Sequence, residues 1–138
     1  MRRFALACLT LTCFAAAGCK DPLASLVAPT VSVTVTESFT GTLTLNGATS
    51  HPFTVTSTGG GEVTATLKAV GPDTSSVVGL GLGTWNGSSC QIIITNDRAV
   101  QTSSILGRAT STGSLCVRLF DVGQIAGPVD YEIEVVHP

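Results

Sequence analysis

The sequence predicts an all-β protein, an antiparallel, jelly-roll-like β-sandwich of about eight or nine short strands that follows a cleaved leader. Three observations carry this. Apolar and polar residues alternate with a period of two over most of the chain beyond residue 30. Clusters of Gly, Asn, Pro, Asp and Ser interrupt that alternation roughly every ten residues. No segment shows the three-and-four spacing of an amphipathic helix. Short strands between regular turns fold as a sandwich, with a closed barrel as the alternative.

The leader comes first. Arg2 and Arg3 precede an apolar run from Phe4 to Phe14 broken only by Thr10 and Thr12, and Ala15, Ala16, Ala17 and Gly18 supply small side chains. This is the layout of a secretory signal peptide. The run is shorter than the about 20 residues that a membrane-spanning helix needs. Ala16-Ala17-Gly18-Cys19 resembles the lipobox of bacterial lipoproteins, with Ala16 where that family prefers Leu. The resemblance implies cleavage after Gly18 and acylation of Cys19 as the new N-terminus. Each buried methylene contributes about 0.8 kcal/mol, and two or more acyl chains hold a protein stably at a membrane. Lys20, rather than Asp, follows the cysteine, which in that family favours the outer membrane of the cell envelope. The expected partition is a signal peptide over 1–18, a lipidated N-terminus and tether over 19–29, and a sandwich domain over 30–138. Pro22 and Pro29 keep the tether from forming a stable helix.

Cleavage removes Arg2 and Arg3, leaving five basic residues against nine acidic ones. An acidic, charge-poor chain lacks the clustered Lys and Arg that nucleic acid requires, so no nucleic-acid partner is expected. Cys8 and Cys13 also leave with the leader, and Cys19 carries lipid. Cys90 and Cys116 remain, an even pair in an oxidising compartment and hence an expected disulfide. No CxxC is present, and two cysteines with the distant His51 and His137 do not make a zinc site.

Along the domain, the odd positions from Val31 to Leu45 are mainly Val, Phe and Leu, and the even positions are all Ser or Thr. Fifteen residues is long for one strand, so a bend at Glu37 to Gly41 is expected to divide two. Asn46 to Pro52 reads as a turn, with Phe53 and Val55 starting the return strand. Gly59-Gly60-Gly61 turns the chain into a strand with Val63, Ala65, Leu67 and Ala69 on one face, and Gly71 to Ser76 turns it again. Over Val77 to Trp85, Gly79, Gly81 and Gly83 form one face and Leu80 and Leu82 the other. Such a glycine stripe admits a second backbone, a ring or a ligand. The stripe has neither the spacing nor the following helix of a phosphate loop. "WNGSS" makes a tight turn before "CQIIIT", an apolar run expected to be a central strand. "NDRAV" turns into "VQTSSIL", "GRATSTG" loops, and "SLCVRLFDV" is the strand carrying Cys116, with Arg118 pointing away from the core. "GQIAGP" turns into "VDYEIEVV", in which Tyr131 shares the core face with Ile133 and Val135.

The series "FTGTLTLNGATSHPFTVTSTGGGEVTATL", "VGLGLGTWNGSSC", "GSLCVRLFDVG" and "VDYEIEVVHP" resembles the bacterial pre-peptidase C-terminal domains over about residues 37–138. Those are small, non-catalytic β-sandwiches associated with binding polymers or with export and stability of an attached enzyme, and some bind calcium. No protease is attached here, and the acidic cluster of the calcium-binding members is missing around Thr30 to Thr40, where only Glu37 stands. No metal and no cofactor are expected, since calcium needs six to eight oxygen ligands and Asp73, Asp97, Asp121 and Asp130 lie on separate segments.

Catalysis is not expected either. Neither histidine sits in HExxH, and no serine sits in GxSxG. The expected role is a membrane-anchored interaction domain that meets another envelope or secreted protein through sheet edges or loops. The alternative is a carbohydrate- or polymer-binding module, with Trp85 and Asn86 as the candidate ligand-binding residues because sugar rings stack on flat aromatics.

Overall fold

The structure, a computed structural model, describes residues 33–138; the leader, Cys19 and the tether lie outside the described residues. Eight strands follow in order: β1 (Val35–Leu43), β2 (Ala48–Val55), β3 (Gly61–Gly71), β4 (Val78–Trp85), β5 (Cys90–Ala99), β6 (Ser104–Ala109), β7 (Gly113–Phe120) and β8 (Val129–His137).

Their pairing is that of a long nested hairpin. β1 pairs with β8, β2 with β7, β3 with β6 and β4 with β5, every pair antiparallel. The hairpin is rolled so that β3 also pairs with β8 and β4 with β7. Two four-stranded sheets result, β1-β8-β3-β6 and β2-β7-β4-β5. This is the double-sheet jelly roll. Each sheet ends in two edge strands, β1 and β6 in one and β2 and β5 in the other, which leaves the sandwich with two sides. One is formed by β1 and β2, the other by β5 and β6.

Alternation sets which residues fill the space between the sheets. Leu43, Val55, Val63, Leu67, Leu80, Leu119, Ile133 and Val135 are fully buried there. Burying one such side chain stabilises the fold by about 1.5–3 kcal/mol relative to exposure. Tyr131 shares that core, and Arg118 points out of its strand between the inward Val117 and Leu119.

Several boundaries differ from the sequence reading. β1 is one unbroken strand with no bend at Glu37 to Gly41, because all nine of its residues find register partners on β8. His51 and Pro52 belong to β2 and not to a turn; the turn is Thr44 to Gly47, closed by Gly47 N–H on Thr44 O at 2.9 Å. Pro52 is tolerated because β2 is an edge strand. "NDRA" continues β5 and Gly107 to Ala109 continue β6; the chain reverses at Val100 to Ser103, where Ser103 N–H donates to Val100 O at 2.9 Å. The run "CQIIIT" is an edge strand, not a central one. Leu82 pairs with Ile94 and Gly83 with Ile92, so Ile93 is one residue more than the ladder can match, a β-bulge.

Candidate functional site

The two open sides of the sandwich are finished in opposite ways. On the β1/β2 side a polar and aromatic seam closes the gap. The Phe39 and His51 rings stack 4.9 Å apart and 15° from parallel. Tyr131 Oη donates to Thr49 Oγ1 at 2.8 Å, so His51 Nε2, also 2.8 Å from that oxygen, is the donor to it. Burial lowers the His51 pKa below its ordinary 6.5. Further along, His137 Nε2 lies 2.9 Å from Glu37 Oε1, and the imidazole, 2 % exposed, packs against Phe53 at 4.9 Å. Both histidines therefore tie β2 or β8 to neighbouring strands across this seam. Among the described residues, no group of three or more His, Cys, Asp or Glu side chains converges as a metal site.

The β5/β6 side carries no such plug. Ile93, Ile94 and Leu106 are 70 %, 38 % and 57 % exposed. Beside Ile93 and Ile94 runs a groove of about 70 Å³ whose lining includes Val63, Leu82, Leu115 and Gly107, so it reaches the core; Leu106 lies outside that lining, on the outer face of its sheet. Gly107 leaves that room: a Cβ there would touch Ile94 and Leu82, each at 3.5 Å. The β5 bulge is what turns both Ile93 and Ile94 towards this groove, where strict alternation would send one of them to the other face. Arg108 lines the same groove and forms no ion pair among the described residues, not even with Glu62, its register partner on β3. Arg98, on β5, forms none among the described residues either.

The groove is far below the roughly 300 Å³ at which pockets begin to hold small molecules. It has room for one inserted aliphatic side chain. Around it lie the outer backbone edges of β5 and β6, which have no neighbouring strand among the described residues. Chemically, this side offers ladder hydrogen bonds, an apolar socket and a cation.

The residues singled out from sequence lie elsewhere. Trp85 is half-buried at the end of β4 and lines neither the groove nor the trough on the outer sheet face described below. Asn86 is committed to the hairpin turn: its Oδ1 accepts Ser88 and Ser89 N–H at 3.0 and 2.8 Å, and its Nδ2 donates to Ser89 Oγ at 3.1 Å. Cys90 and Cys116 are bonded, with an S–S distance of 2.05 Å, and join β5 to β7 although β4 lies between those strands in the sheet. A disulfide of this kind belongs to an oxidising compartment outside the cytoplasm. Sequence reasoning missed the β5/β6 groove because it assigned "CQIIIT" to the sheet centre. The one signal that could have revealed it is the triple Ile beside a short, Gly-containing partner strand.

No protein-family model matches this chain, and no curated protein sequence matches it. Solved structures do resemble it. A periplasmic lysozyme inhibitor of g-type lysozyme, PliG of Aeromonas hydrophila, superposes with a TM-score of 0.51 at 13 % identity, covering 75 % of this chain and 86 % of that one. The Yersinia pseudotuberculosis-derived mitogen gives 0.50 at 16 % identity, covering 76 % and 86 %. At these identities the likeness is one of fold.

Proposed function

We propose that this protein is a non-catalytic binding module of a bacterial cell envelope, anchored through a lipid on Cys19, which docks a protein partner along the β5/β6 side. The observation that carries the reading is the contrast between the two open sides. One is sealed by hydrogen bonds and stacked rings, whereas the other exposes Ile93 and Ile94 around an apolar groove. Single exposed apolar residues are ordinary, but a contiguous set over a groove marks an interaction surface.

The partner that fits is an extended polypeptide segment. It would add to an unpaired strand edge through main-chain hydrogen bonds, insert one aliphatic side chain into the groove, and set a carboxylate against Arg108. The socket is too small for a sugar ring, which favours a protein on this side. The likeness to a periplasmic inhibitor whose target is itself a protein supports a binding role for a sandwich of this shape.

The test uses the full chain, immobilised and exposed to envelope extract, followed by purification of each captured protein and direct measurement of the pair. Binding that falls at least tenfold in Ile93→Thr and Ile94→Thr, with unchanged folding, supports the reading. Two results overturn it: a partner held equally well by both variants, or concentration-dependent self-association that the same variants abolish, which would make the occupant a second copy.

A further inference from the structure

The outer face of the β2-β7-β4-β5 sheet carries a second feature that the docking reading leaves unused. Register places three side-chain rows across the strands. The middle row runs Ser50, Arg118, Gly81, Thr95, one residue from each strand. At about 4.8 Å between strands, it spans roughly 14 Å. The row on one side contains Phe120 beside Gly79, and the row on the other contains Cys116 beside Gly83. An open trough of about 380 Å³ lies over this face, lined by Arg118, Phe120, Thr95, Ile92, Asn46 and Asp121 among others.

The glycines make the trough shallow and its walls low. The Phe120 ring lies where a Cβ of Gly79 would stand, and Ile92 Cδ1 would be 2.8 Å from a Cβ at Gly81. Both apolar side chains therefore lie down on the sheet, Phe120 over Gly79 and Ile92 over Gly81, so Arg118 and Thr95 stand on either side of a low apolar floor. Arg118 is half-buried, yet its guanidinium makes no side-chain hydrogen bond and no ion pair among the described residues. Five fixed donors thus face an open trough without a protein partner among the described residues. Asp121 lines the same trough as an ionised carboxylate but does not pair with Arg118. Its carboxylate accepts the backbone N–H groups of Asn46, Gly123 and Gln124 at 2.8, 2.7 and 3.2 Å, and those bonds hold its pKa low, Asn46 foremost.

We propose that this trough binds an acidic glycan, with a sugar carboxylate held by the Arg118 fork, ring hydroxyls against Ser50 and Thr95, and a sugar face against Phe120. A planar, bidentate guanidinium matches a carboxylate. Hydroxyl side chains at both ends of a strand-crossing row suit a polyhydroxy chain, and an aromatic wall suits the apolar face of a ring. The volume lies in the range of small-ligand sites, unlike that of the apolar groove. The two surfaces are separate, so either can fail without the other.

The test is calorimetric titration of the full chain with a short oligogalacturonate, with a neutral galactan oligomer of the same length, and with a short polyglutamate. The oligogalacturonate is expected to bind and the neutral oligomer not to bind. Arg118→Gln should weaken binding roughly tenfold or more, and Arg118→Lys should recover only part of it, because the charge returns without the fork. If Arg118→Gln fails to fold, Thr95→Val with Ser50→Ala serves instead and should lower affinity severalfold. Equal binding of the neutral oligomer, no binding of the oligogalacturonate, or affinity indifferent to these variants overturns the proposal. Polyglutamate binding with the same Arg118 dependence overturns it as well and assigns the trough to acidic polypeptide.

Discussion

The ring of Tyr131 lies across the backbone of Gly41, its register partner on the neighbouring strand, so closely that a Cβ at Gly41 would stand 2.6 Å from Oη and 2.9 Å from Cζ. The missing side chain is what lets the phenol reach over the edge strand to Thr49 and His51 on the opposite sheet. Gly41→Val should therefore cost about 1–3 kcal/mol by overpacking. Tyr131→Phe should cost about 1–3 kcal/mol, since it leaves Thr49 and His51 without their shared partner. Urea denaturation reads both as a lower midpoint at unchanged slope. A midpoint unmoved in Tyr131→Phe would remove this network from the account of stability.

The same network sets a dependence on pH. Burial holds the folded-state pKa of His51 below 6.5, so the unfolded chain takes up a proton that the native chain refuses. Stability should be intact above about pH 6.5 and fall progressively below it, until the lowered folded pKa is reached. Asp121, whose carboxyl is held low by backbone N–H groups, acts in a different window. Its contribution is present above about pH 4 and is lost as the pH falls through its folded pKa. Comparing denaturation midpoints from pH 5 to 8 in the natural chain and in His51→Gln should show a shallower fall in the variant. Identical slopes would exclude His51 as a source of the acid sensitivity.

The Cys90–Cys116 bond closes a loop with a sequence separation of 26 residues. In the chain-entropy picture this stabilises the fold by about 3 kcal/mol. Replacing both cysteines by Ala should lower stability by that order, and added reductant should then have no further effect on the variant. A loss of only a few tenths would place the bond's role elsewhere.

Core and groove substitutions should separate cleanly. Leu119 is fully buried, so Leu119→Ala should cost about 2–5 kcal/mol. Ile93 is 70 % exposed, so Ile93→Thr should stay within about 0.5 kcal/mol of the natural chain. A large loss in Ile93→Thr would mean that the groove side supports the fold rather than awaiting a partner.

The proposed anchor makes its own prediction. In a bacterium that processes lipoproteins, the full chain should incorporate an alkyne-tagged fatty acid and partition with membranes. Cys19→Ser should abolish both the label and the membrane fraction. Label retained in Cys19→Ser would place the acyl group on another residue.

The physical reach of the sequence is visible in particular elements. The alternation of Val63, Ala65 and Leu67, and of Tyr131, Ile133 and Val135, located β3 and β8 and their buried faces, because the period of a strand is a local property of the chain. The turn chemistry at Gly59 to Gly61 and at Trp85 to Ser89 likewise acts within a few residues. The even number of cysteines left after the leader was enough to pair Cys90 with Cys116. Where the reading failed, a partner strand decided. β8 kept β1 straight, β7 held Pro52 in a strand, the strand order put "CQIIIT" at a sheet edge, and a bulge against β4 left Ile93 exposed there.

Local pattern along the chain was enough for the all-β class and for the outward direction of Arg118. Which strands became edges, which open side was sealed by His51 and His137, and which was left apolar at Ile93 and Ile94 depended on contacts made only in the folded molecule. Those contacts join residues about 80 to 100 positions apart in the chain. Period and propensity act over a few residues, whereas the hydrogen bonds and packing that finish a sandwich exist only after the nested hairpin has rolled.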